Sequence, residues 1–133
     1  MTSRIASCSC GQLRVTCEGD PVRISICHCL ECQKRTGSVF GAQARFPRER
    51  VEIEGRSTQW TRLGESGGGA TFDFCGLCGS TVCWVPTNAS DVVYVAVGGF
   101  ADPGFPPPTV SVYGERKHPW ALAAGQLPLL QEF

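Results

Sequence analysis

The chain has 133 residues, nine of them cysteine, and its 12 basic residues balance 12 acidic ones to a formal net charge of +0. That length suits a single domain over residues 1–133 with a core of its own, and the neutral balance, with no run of like charge, excludes nucleic-acid binding driven by phosphate neutralisation. Sixteen glycines, nine prolines and one methionine point to short strands joined by turns rather than to long helices.

In chain order, the N-terminus MTSRIASCSC has no apolar segment of the secretory kind, and no apolar run reaches membrane-spanning length. It carries the first cysteine pair, Cys8 and Cys10, followed by Gly11. QLRVTC (12–17) alternates, with Leu13, Val15 and Cys17 on one face, and reads as a half-buried strand. CHCLEC (27–32) brings three cysteines together, and CLECQKRTG can make one or two helical turns ending near Gly37. RVEIEG (50–55) is a second alternating strand, through Val51 and Ile53. GESGGGA (64–70) reads as a flexible loop. ATFDFC (70–75) reads as a strand with Phe72 and Phe74 on one face and Asp73 on the other.

FCGLCGS (74–80) is a metal knuckle in form: two cysteines, then a glycine that allows positive φ, so that backbone N–H groups can point at the sulfurs. STVCWV (80–85) and DVVYVAV (91–97) are more continuously apolar and belong near a sheet centre. GGFADPGFPPP (98–108) is an irregular connection that no central strand accommodates. TVSVY (109–113) is a short strand, and PWALAAG (119–125) a short terminal helix. The whole reads as mostly β, several small sheets with little helix, of the kind that often needs a metal to fix its corners.

Nine cysteines admit a secreted disulfide framework or an intracellular metal protein. The odd number, the missing signal segment and the metal-ligand spacings favour metal, in a reducing compartment such as the cytosol. Cys8 and Cys10 with Cys75 and Cys78 make a closed four-thiolate set suited to structural zinc. Cys27, Cys29 and Cys32 have three thiolates and no following glycine. Structural zinc takes four protein ligands and catalytic zinc keeps a position open, so a three-sulfur site would take a substrate thiol or water there. Other closures remain: His28 lies between two ligands, where an extended backbone turns its side chain away, and His118, Cys17 or Cys83 could reach in from afar. Cys17 and Cys83 also fit as small core residues. Lys34 and Arg35, next to the cluster, either offset its charge or are solvated surface cations.

CSCGQLRVTCEGDP, CHCLECQKRTGSVFG, FCGLCGSTV and KHPWALAAGQLP, in that order, resemble the family of glutathione-dependent formaldehyde-activating enzymes, which includes centromere protein V-like domains. The resemblance runs from Cys8 to about Pro128. It implies an Mss4-like fold of several small coiled antiparallel sheets stabilised by zinc. It also implies a structural zinc on Cys8, Cys10, Cys75 and Cys78, and a catalytic zinc on Cys27, Cys29 and Cys32. The implied activity is carbon–sulfur lyase chemistry, in which a glutathione-like thiol adds to a small aldehyde to give an S-hydroxymethylglutathione-type product, and the reverse. Two rival readings use the same fold. One is a non-catalytic zinc-stabilised binding domain. The other is a reductase of the methionine sulfoxide type, which needs a reactive cysteine outside the metal sites, where only Cys17 and Cys83 are spare.

Overall fold

β-Branched and aromatic runs pair into ten strands in the computed structural model, which describes residues 2–64 and 68–121. The strands are β1 (Ser3–Ser7), β2 (Arg14–Glu18), β3 (Arg23–Cys27), β4 (Gly41–Pro47), β5 (Val51–Glu54), β6 (Thr58–Leu63), β7 (Gly69–Phe74), β8 (Thr81–Pro86), β9 (Val92–Ala96) and β10 (Val110–Val112), with one helix, α1 (Leu30–Thr36). The mostly β, helix-poor class expected from the sequence holds, and with it the Mss4-like reading. The strands gather into a three-stranded sheet, β1-β2-β5, and a seven-stranded sheet, β10-β3-β4-β9-β8-β7-β6. Every pair is antiparallel except β10, which joins β3 in parallel. The two most apolar strands, β8 and β9, lie inside the large sheet as their composition requires.

Period-two alternation decides which face each residue takes. Val15 and Cys17 of β2 meet Ile24, Ala44, Phe46, Cys83, Val93 and Val95 of the large sheet in one buried cluster. A fully buried side chain of the size of Phe46 contributes roughly 1.5–3 kcal/mol. The irregular 98–108 connection adds Phe100 and Phe105, whose rings stack with centroids 4.6 Å apart.

The opposite face of the large sheet is not core. Arg23 stands against Arg45, Ser25 against Gln43 and Cys27 against Gly41. Next to them, Tyr94, Trp84, Phe72 and Trp60 form a row across β9, β8, β7 and β6, each directly opposite the next. Their centroids are 5.5–6.2 Å apart, within the range of attractive aromatic pairs.

This arrangement corrects the expected faces of β7. Phe72 looks into the aromatic row, and Asp73 is the residue turned inward, 6% exposed. Asp73 is tolerated there because Ser57 Oγ and Gln59 Nε2 donate to its Oδ1 at 2.8 and 2.9 Å.

Helix α1 begins and ends on identifiable residues. Cys29 is its N-cap, with Sγ accepting from Cys32 N at 3.2 Å. Gly37, at φ 71°, closes it, its N–H donating to Gln33 O at 2.8 Å, which is the left-handed stop expected at that position. Of the proposed terminal helix over 119–125, Pro119, Trp120 and Ala121 form a turn and the rest lies outside the described residues. Residues 65–67 of the glycine-rich loop also lie outside them.

Gly55, just after β5, packs tightly on Gln12, just before β2, at one end of the three-stranded sheet. It has φ +96°, and a Cβ there would overlap the Gln12 carbonyl oxygen. Gly55→Ala is expected to cost about 2–4 kcal/mol, from left-handed strain plus overpacking. Chemical denaturation checks this, and an unchanged midpoint contradicts it.

Candidate metal centres

Each cysteine group assembles from residues whose local backbone was legible. Gly11 and Gly79, at φ 84° and 81°, turn the chain behind Cys10 and Cys78. Leu13 N donates to Cys8 Sγ at 3.3 Å, and Gln12 Nε2 to Cys75 Sγ at 3.1 Å. Gln12 also bonds the backbone of Arg56 through both ends of its amide, at 2.7 and 2.9 Å, so it ties the first knuckle to β5. The Gln12 amide, followed by backbone N–H groups, holds the Cys75 thiol below its usual range. The Ser80 hydroxyl and backbone do the same for Cys78, drawn down to about 5.

The four sulfurs of Cys8, Cys10, Cys75 and Cys78 lie within 4.8 Å of one another. Cys8–Cys10 and Cys10–Cys75 are 3.6 and 3.7 Å apart. Tetrahedral zinc–thiolate bonding requires sulfur separations of about 3.8 Å, so spacing and donor chemistry both fit zinc.

Cys27, Cys29 and Cys32 form the second group, also within 4.8 Å. β3 delivers Cys27, the cap of α1 delivers Cys29, and the first turn of α1 delivers Cys32. Gly41, opposite Cys27, makes room for the helix. A Cβ there would lie 3.0 Å from Arg35 Nη2 and 3.6 Å from Cys32 Cβ. Cys29 Sγ and Cys32 Sγ are 3.0 Å apart. The Cys32 thiol is drawn down to about 5, first by the hydrogen bond from Cys27, with burial opposing and Arg35 assisting. That same bond and burial push Cys27 up. A soft three-sulfur set of this kind suits zinc.

No fourth protein ligand joins this group among the described residues. His28 is fully buried, and its Nε2 pairs with Ser111 Oγ at 3.1 Å. His118 Nε2 pairs with Gln33 Oε1 at 3.0 Å. Cys17 and Cys83 are fully buried core residues, and burial pushes both thiols up to about 12. Neither has the low pKa and exposure of a reactive thiol, which leaves the reductase reading without a nucleophile. The two neighbouring cations separate: Lys34 is exposed and pairs with Glu31 at 3.7 Å, whereas Arg35 turns inward.

A cleft of about 650 Å³ opens at the three-sulfur group, lined by Cys27, Cys29 and Cys32 on one side and by Phe72, Trp84 and Tyr94 on the other. The Arg35 guanidinium lies 4.2 Å from the Trp84 ring centroid and 5.4 Å from that of Phe72, with Arg62 5.3 Å from Phe72. None of the four-sulfur set lines this cleft. The aromatic wall escaped the sequence reading because each ring comes from a different strand. The available signal was one aromatic in matching phase in each of four strands.

The model of the glutathione-dependent formaldehyde-activating enzyme family matches residues 3–116. The chain belongs to that family. Both cysteine groups, α1 and all ten strands fall within the matched glutathione-dependent formaldehyde-activating enzyme segment. A crystal structure of a Rhodobacter sphaeroides protein is similar in fold, with a TM-score of 0.58 at 16% identity, over 80% of this chain and 98% of that one. No curated protein matches the chain significantly. Among the described residues, no helix is long and apolar enough to cross a membrane.

Proposed function

We propose that this chain is a zinc-dependent carbon–sulfur lyase that adds a glutathione-like thiol to a small aldehyde and cleaves the adduct in reverse. The observation that carries the reading is the contrast between the two cysteine groups. The four-sulfur set has four protein ligands of its own, and none of them lines the cleft beside Cys27, Cys29 and Cys32; only Cys8 borders a second cleft, of about 640 Å³. The three-sulfur set lines the 650 Å³ cleft, and a tetrahedral zinc held there would have one position free for a substrate. Zinc held by Cys27, Cys29 and Cys32 would lower the pKa of a thiol or polarise a carbonyl.

The reaction balances without a redox partner. The thiol sulfur bonds to the carbonyl carbon, the C=O π pair moves to oxygen, and that oxygen takes up the proton the thiol gives away. Arg35, beside Cys32 and stacked on Trp84, offers fixed positive charge where the oxygen gains its electrons. Nine free cysteines suit a reducing compartment, the cytosol.

Cobalt replacing zinc tests the open position. One of two cobalt sites is expected to change its absorption on addition of glutathione, and the protein is expected to speed exchange between free aldehyde and thiol adduct in NMR. Unresponsive cobalt and unaccelerated exchange would overturn the reading in favour of the binding domain.

A further inference from the structure

Three features at the cleft lack, among the described residues, the partners that folding normally provides; Arg23 and Gln43 line the cleft, and Arg45 stands beside it, opposite Arg23. Arg23 and Arg45 stand directly opposite each other on β3 and β4, where like charges repel. Among the described residues no carboxylate pairs with either one, the ion pairs being Arg4–Asp20 and Lys34–Glu31. Among the described residues, the Nε–H groups of Arg23, Arg35 and Arg45 have no acceptor. Gln43, 7% exposed and lining the cleft, gives its Nε2 to Ser25 Oγ at 2.9 Å and leaves Oε1 without a donor. A buried, half-satisfied amide next to two arginines paired in register is unfavourable for the protein alone. It is what a ligand with a matching end would complete.

We propose that Arg23 and Arg45, with Gln43, form a carboxylate subsite that selects the thiol substrate, the carboxylate bearing an N–H group close by. Arginine forks pair with carboxylate oxygens through two N–H groups, and the open Gln43 Oε1 accepts from the neighbouring N–H. An α-amino carboxylate presents both. The subsite rests on the reading of the cleft as a thiol site, and the register sets the length of that thiol. Arg23 is four residues from Cys27 along β3, roughly 13 Å. The sulfur and the carboxylate therefore lie on the order of 10 Å apart once the arginine side chains reach back. A small aldehyde cannot span that gap, so the carboxylate belongs to the thiol. Arg35 and Arg62, held over Phe72 on the other wall of the same cleft, add to its positive field. Glu31 is the one acidic residue on the described lining.

The probe is S-methylglutathione, whose blocked sulfur cannot react, compared with its dimethyl ester, in the zinc-loaded protein. Calorimetry, or tryptophan fluorescence, reads binding. The acid is expected to bind about tenfold or more tightly than the ester, and more weakly as salt rises. Arg23→Gln and Arg45→Gln are each expected to weaken the acid by about tenfold or more and to leave the ester unchanged. Their melting temperatures are expected to stay level or rise, because each removes a facing like charge, whereas an arginine that only supports the fold would lower them. Equal affinity of acid and ester in the wild-type protein overturns the subsite without recourse to any variant. So does unaltered acid binding in both variants. Accelerated thiol–aldehyde exchange with equal binding of acid and ester removes the subsite alone. Arginine-dependent acid binding without exchange removes the lyase reading and leaves the subsite standing.

Discussion

Cys75→Ser is expected to abolish the cooperative thermal melt and the zinc content of the four-sulfur group together. On the proposed assignment, that group is a structural zinc site tying β1 and β2 to the β7–β8 turn. Structural zinc in small peptides contributes about 10–16 kcal/mol, and whole domains are stable by only about 5–15 kcal/mol. Losing the site therefore exceeds what the rest of the fold can offset. Cys75 is fully buried, and its sulfur also receives Gln12 Nε2 at 3.1 Å, so a serine both removes a ligand and loosens the β5 connection. Circular dichroism against temperature, with metal analysis of the same sample, gives the answer. A variant that melts cooperatively near the wild-type temperature with its zinc intact would show the assignment to be wrong.

Cys29→Ser should behave in the opposite way. The protein is expected to fall from two zincs per chain to one, to keep its melt near that of the wild type, and to lose thiol–aldehyde exchange by a hundredfold or about that. The substitution is discriminating because Cys29 has two roles. It caps α1 through Sγ, and serine is among the best caps, so the helix survives while the soft ligand goes. Retention of both zincs, or retained exchange with one zinc, would remove Cys29 from the proposed centre. If Cys29→Ser unfolds the chain as Cys75→Ser does, the division into a holding site and a working site fails.

Both cysteine groups were visible in the sequence because each is built from pairs or triplets two to three residues apart. Local spacing brings the sulfurs of each pair or triplet together, the fold then joins the two pairs of the four-sulfur group, and Gly11, Gly37 and Gly79 took the left-handed backbone their positions suggested. The alternating strands β2 and β5 were visible because one face is core and the other is solvent. β3 and β4 were not, since their second face carries Ser25, Gln43 and two arginines, and Arg23, Cys27 and Gln43 of that face line a cleft. β6 has five exposed residues of six and no apolar face to detect; its pairing with β7 makes it a strand. Asp73 defeated the usual expectation that the acid of an alternating run faces outward. Its two hydrogen-bond donors, Ser57 and Gln59, sit on the neighbouring strand and its approach, where no local pattern marks them. The cleft was hidden for the same reason, as each strand supplies only one or two of its side chains.

The 65 positions between Cys10 and Cys75 also have a meaning in time. At synthesis rates of about 5–20 residues per second, roughly 3–13 seconds separate the two cysteines on the growing chain. Cys8 and Cys10 spend that interval as an exposed dithiol, open to oxidation or to a borrowed ion. Cys27, Cys29 and Cys32 emerge within six positions of one another, a complete set long before the first group has its partners. The later-needed site is thus the first able to capture metal, and the knuckle at 75–78 acts as the clasp that closes a nascent chain.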